Sequence, residues 1–105
     1  MTPSQQMETV RSLVEDYCSR EMYLTHGFTP SDEEYQHILN IGESILCTKW
    51  GVGYEGGGFV RAVVENNLQL AYNRADSINK KYLPLYVGLV MSITKPETLN
   101  SLVTS

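Results

Sequence analysis

Five of the chain's eight glycines fall within eight residues, Gly51-Val52-Gly53-Tyr54-Glu55-Gly56-Gly57-Gly58. A stretch so poor in side chains buries little and loses much conformational freedom on folding. It is therefore a tight or exposed connection and not the interior of an element. It divides the chain near its middle, and packed elements must lie on either side of it.

Both flanks read as helix. Thr2-Pro3 is an N-cap followed by proline at the first helical position. Met7, Val10, Leu13, Val14, Tyr17 and Cys18 then recur at spacings of three and four, one apolar stripe of a helix. His26-Gly27 is its expected end, with glycine in the left-handed position. Ser31-Asp32-Glu33-Glu34 is a capping box with an acidic first turn. Tyr35, Ile38, Leu39, Gly42, Ile45 and Leu46 continue that second helix, which should stop near Gly51. Beyond the glycines, Phe59, Ala62 and Val63 restart a helical pattern that breaks at Asn66-Asn67. Leu68, Leu70, Ala71 and Tyr72 suggest a short helix. Asp76 caps a further one carrying Ile78, Tyr82, Leu85, Tyr86, Leu89 and Val90. Pro84 must kink that helix or start a new one. Thr94-Lys95-Pro96-Glu97 opens a last short turn or a loose tail.

No strand alternation and no internal repeat compete with this reading. The expected fold is all-α, a compact bundle of about five short helices with a Gly-rich connection at 51–58. The expected organisation is a single domain over 1–105. It comprises an N-terminal helix in 1–30, core helices in 31–93, and a turn or tail in 94–105.

Composition narrows the function classes. Hydrophobic residues are 42% of the 105 and charged residues 19%, which suits a packed core and not a disordered chain. A chain of this length buries roughly two-thirds of its unfolded surface, enough for one core. Twelve acids against eight Lys+Arg give a formal charge of −4. That balance argues against binding duplex nucleic acid, which needs a basic face. The longest apolar run, Leu83 to Ile93, is too short for a membrane span or a signal peptide. Cys18 and Cys47 have no partner at metal-ligand spacing and read as small buried hydrophobes in a reducing compartment. His26 and His37 repeat no zinc pattern, so no metal and no cofactor is expected.

Gly51-x-Gly53-x-x-Gly56 matches the dinucleotide fingerprint literally, with Asp76 twenty residues on. That fingerprint works only between a strand and a helix, and here helices flank it. A smaller reading survives. Gly56, Gly57 and Gly58 precede a helix start, where backbone N–H groups can receive an anion. Arg61 would add a charged donor, and Arg74 a planar fork for phosphate. The same glycines serve a sharp turn and close packing equally well. Trp50 and Tyr54 flank the loop, and either stack on a planar ligand or pack over helix ends. No Ser/His/Asp or Cys/His set is signalled, so no enzyme is expected.

The segment Gly57-Gly58-Phe59-Val60-Arg61-Ala62-Val63-Val64-Glu65-Asn66-Asn67-Leu68 is followed by Ala71, Arg74-Ala75-Asp76 and Asn79. It resembles a widespread group of small tailed-bacteriophage proteins. Their pattern is Gly-Gly/Ser-Phe, a short helix, Asn-Asp/Asn-Leu, then Arg-Ala-Asp and a following Asn before a last apolar helix. The likeness spans residues 45 to 92. The chain departs at Glu55-Gly56, where many members have Pro, and at Met91-Ser92-Ile93, where they end in an aromatic and Asn.

The resemblance implies a phage accessory protein in the cytoplasm of a bacterial host. Small phage proteins without catalytic sets often inhibit host machinery or host defence. The first expectation is therefore a homo-oligomer that sequesters a nucleotide immune signal. Its pocket would use Gly57, Gly58 and Phe59 at the helix start, Arg61 and Arg74 for charge, Tyr54 or Trp50 for the base, and Asp76 or Asn79 for a hydroxyl or base edge. The alternatives are an acidic inhibitor that blocks a host protein, and a motif that only maintains the fold. In the last case Arg74 would pair with Glu55 or Glu65, and Asp76 to Asn79 would be a helix cap.

Overall fold

The structure is a computed structural model and describes residues 2–24 and 30–100, with backbone alone at 22–24, 98 and 100. It is all-α, as expected: no strand occurs among the described residues. The elements are α1 (Pro3–Leu24), α2 (Asp32–Trp50), α3 (Gly58–Val64), α4 (Leu68–Arg74), α5 (Ser77–Lys81), α6 (Leu83–Ser92) and α7 (Glu97–Asn100). His26 and Gly27 lie outside the described residues.

Local chemistry sets most of these boundaries. At the start of α1, Thr2 Oγ1 accepts from Gln5 N at 3.2 Å and Gln5 Oε1 accepts from Thr2 N at 2.8 Å. This reciprocal pair satisfies donors that a helix start leaves open. The same device opens α2 between Ser31 and Glu34. There the Ser31 backbone N–H is the leading cause holding the Glu34 carboxyl below its ordinary range, with Lys81 and Tyr82 assisting. Gly51 ends α2 in the left-handed region, at φ 68°. Asn66, at φ 61°, breaks the chain between α3 and α4, and Asn67 caps α4 by accepting from Leu70 N. Pro84 sits in the first turn of α6 and starts a new helix there, where its missing N–H is no loss.

The long helices α1 and α2 pack together and α6 lies against both, with α3 seated on α2. Val10, Val14, Ile38, Ile45, Leu46, Leu85 and Leu89 are buried between them. Two glycines permit the close approaches. A Cβ at Gly42 would lie 2.7 Å from Val14 Cγ1, so α1 and α2 cross there. A Cβ at Gly88 would collide with the Tyr17 hydroxyl, which donates to the Leu85 carbonyl at 3.0 Å. Tyr17 is itself buried, so that bond ties α1 to α6 inside the core.

Two outcomes follow from this packing. Gly88→Ala gains up to about 1 kcal/mol in helix propensity yet displaces Tyr17. Overpacking and the lost bond outweigh the gain, for a net loss of ~1–3 kcal/mol by urea denaturation. Burial also pushes the Cys18 thiol up to about 11 and the Tyr17 hydroxyl up to about 12. Cys47 rises to about 11, chiefly by burial, with Glu43 assisting. An unfolded thiol titrates near ~8.5, so in alkali the unfolded chain binds fewer protons than the folded one. Stability therefore falls as pH rises from about 9 to about 11 and is unaffected by these thiols below about 8. A series of melting curves between those limits checks the slope.

Candidate functional site

The residues singled out from the sequence divide into three places. The first is a groove between α3 and α4, lined by Gly58, Arg61, Ala62, Glu65, Leu70 and Arg74. It forms because α4 packs mainly on α3 and buries a single residue there, Ala71. At 100° per residue, Leu70 and Arg74 fall on one flank of Ala71 and Leu68 and Tyr72 on the other. The Arg74 side chain lies across Gly58, where a Cβ would sit 3.0 Å from Cδ and from Nη1.

Arg74 pairs with neither Glu55 nor Glu65. It is Arg61 that meets Glu55, Nε to Oε1 at 3.5 Å. Glu55 stands three residues before α3 and Arg61 one turn into it, so the two face each other. Arg74 approaches from α4 and has no carboxylate partner among the described residues. Gly57 is the N-cap of α3 and makes no side-chain cap bond. At seven residues α3 is too short for its dipole to define an anion site, so the charge for such a site comes from the arginines. Phe59 does not reach the groove. Its ring is buried and meets Tyr86 edge-on, with centroids 5.8 Å apart.

The second place is a polar clasp under α5. Asp76 caps α5, its Oδ1 accepting from Asn79 N at 2.8 Å, while its Oδ2 lies 3.7 Å from His37 Nε2. Asn79 is 5% exposed. Its Oδ1 accepts from the Tyr86 hydroxyl at 3.1 Å and stands 2.9 Å from His37 Nε2. Both atoms facing Nε2 are acceptors, so the network assigns a proton to that nitrogen. Asp76 and Asn79 thus join α5 to α2 and α6, and neither lines the groove. His37 and Tyr86 were not among the sequence candidates. No local spacing links His37 to Asn79, forty-two residues away.

The third place lies beside the Gly-rich connection. Cys47, Thr48, Gly51, Val52, Gly53, Tyr54 and Glu55 line a second shallow depression. Tyr54 is half exposed, and its hydroxyl lies near Glu43. Burial leads, and Glu43 assists, in raising that hydroxyl above its ordinary value. Trp50 is partly buried against the core, and its carbonyl receives Lys95 Nζ at 3.5 Å. Neither aromatic lines the arginine groove. The Glu55–Arg61 pair stands on the border, since Glu55 lines one depression and Arg61 the other.

Among the described residues no group of three or more His, Cys, Asp or Glu can hold a metal ion, and no helix is long and apolar enough to cross a membrane. The chain matches no protein-family profile, no curated protein and no solved structure.

The two halves of the Arg74-Ala75-Asp76-x-x-Asn79 pattern are predicted to separate on mutation. Asn79→Ala removes the acceptor of the buried Tyr86 hydroxyl and lowers stability by ~2–3 kcal/mol. Arg74→Ala, at an exposed side chain without an ion pair, stays within ~0.5 kcal/mol of the parent. Thermal and urea denaturation of the two variants measures the contrast.

Proposed function

We propose that the chain is a non-catalytic binding protein that sequesters a phosphate-bearing, nucleotide-type ligand in the α3–α4 groove. The observation that carries this reading is Arg74. Its side chain is laid over a bare glycine beside Arg61 and is not consumed by any carboxylate among the described residues. A planar guanidinium left open in a groove suits two-point recognition of a phosphate. The groove is open, and no aromatic side chain among the described residues lines it. The reading therefore includes a homo-oligomer in which a second copy supplies the remaining wall.

The resemblance to small tailed-phage proteins supplies the biological setting. The reading is an accessory protein that acts in the bacterial host cytoplasm and counteracts defence by holding a nucleotide immune signal. A second reading, a blocker of a host protein, is favoured by the other flank of α4. There Leu68 and Tyr72 are 45% and 53% exposed, and Lys80 Nζ lies 4.9 Å from the Tyr72 ring centroid.

Native mass spectrometry of protein purified gently from a bacterial host, repeated after denaturation, tests the first reading. The expected native mass exceeds the sum of the subunits by a few hundred daltons, and the excess disappears on denaturation. In solution, a cyclic dinucleotide or an ADP-ribose derivative raises the melting temperature of the parent and not of Arg74→Ala. Clean subunit masses with no thermal response to any such ligand overturn the sequestration reading. A host protein retained in a pull-down, and lost with Leu68→Glu, would then carry the second.

A further inference from the structure

The arginine groove carries its own counter-charge. Arg61 and Arg74 stand in it with Glu65, and Glu55 reaches its edge with Oε1 3.5 Å from Arg61 Nε. Glu65 has no ion-pair partner among the described residues. Two cations and two carboxylates leave the groove formally neutral. The position of Glu55 is fixed by the next residue. Gly56 N donates to Thr48 Oγ1 at 2.8 Å, and a Cβ on Gly56 would sit 2.5 Å from Val60 Cγ1 and 2.6 Å from Ser44 Oγ. The backbone there is seated on α2 and α3, so the carboxylate can swing aside while the chain that bears it stays in place.

We propose, on the reading of this groove as a nucleotide site, that Glu55 selects the ligand by its charge. An anion that engages Arg61 either displaces the Glu55 carboxylate from Nε or binds the other guanidinium nitrogens beside it, and in both cases remains close to it. The exchange suits a phosphodiester, which brings one negative charge per phosphate and leaves Glu65 as an acceptor for a ligand hydroxyl or amino group. A phosphomonoester carries nearly two charges at neutral pH, and the second is repelled by Glu55. Both side chains are more than half exposed, at 57% for Arg61 and 67% for Glu55. Water screens the repulsion, and one unit charge at ~4 Å then changes affinity about fivefold.

Calorimetric titration of the full chain with 3′,5′-cyclic AMP and with AMP tests this. The two probes share base and sugar; AMP adds phosphate charge and a free 3′-hydroxyl, so the change in preference on removing the Glu55 charge is what is read. The ratio of cyclic AMP to AMP affinity is expected to be about fivefold higher in the parent than in Glu55→Gln. Glu55→Gln keeps the side-chain shape and removes the charge. It raises AMP affinity about fivefold and cyclic AMP affinity much less, so the ratio falls. The effect shrinks at high salt, as screening requires. Glu55→Ala gives the same direction and controls for hydrogen bonding by the glutamine, and unchanged melting curves confirm that both variants fold.

A preference that stays within about twofold of the parent in both variants overturns charge selection. If binding then still disappears with Arg74→Gln, the groove survives and only the role of Glu55 falls. If neither probe binds the parent or Glu55→Gln, charge selection by Glu55 falls, and the thermal response to a cyclic dinucleotide decides the groove separately.

Discussion

The close approach of Gly56 to α2 and α3 is the constraint on which the second half of the molecule depends. Seven residues without helical structure separate Trp50 from Gly58, and a Gly-rich chain of that length has little stiffness of its own. What fixes it is contact. Gly51 takes the left-handed turn off α2, Val52 N returns to the Cys47 carbonyl at 3.0 Å, and Gly56 N takes the Thr48 hydroxyl. Thr48 is oriented in turn by its own bond to the Ser44 carbonyl. Without a Cβ at 56 the backbone can lie directly on Ser44 and Val60. The direction of α3 is set there, and with it α4 and the groove between them.

α5 and α7 are too short to hold themselves, because a helix of one or two turns has scarcely passed nucleation. α5 has five residues and is kept by its cap and by the clasp that Asn79 makes with Tyr86 and His37. That clasp converts a local motif into a long-range tie. Its members are satisfied, and no buried side-chain nitrogen or oxygen lacks a partner among the described residues. A satisfied buried network is stabilising, whereas a half-satisfied one costs more than an apolar core.

The sequence disclosed the elements better than their associations. Capping at Ser31, Asn67 and Asp76 and the stop at Gly51 are written within three or four residues, and periodicity marked Val10, Val14, Ile38 and Ile45 as inward. The break at Pro84 was legible as a kink or a new start, and packing decides for the new start. The site was less legible. Residues close in sequence, Arg74 and Asp76, face different neighbours, because α4 ends between them and the chain turns into α5. Arg61 and not Arg74 takes Glu55, because Arg61 stands one turn into the helix that Glu55 precedes, while Arg74 approaches from α4. His37 has no local signal at all, since its partner arrives from the far end of the fold.

What remains for function is the part of the motif that the fold does not use. Asp76 and Asn79 are spent on the clasp and Phe59 on the core, whereas Arg74 is left open over Gly58. A charged side chain laid on a glycine contributes little to stability, since the exposed guanidinium gains no ion-pair partner among the described residues. Such an arrangement suits binding better than folding. Position 55 continues the same logic. A proline at this position would stiffen the backbone by its ring but could carry no charge. Here the stiffness comes from Gly56 seated on Ser44 and Val60. Position 55 is thereby free to carry a carboxylate, which the Gly-rich turn aims at Arg61. Rigidity and charge, which one residue cannot both supply, are divided between two neighbours.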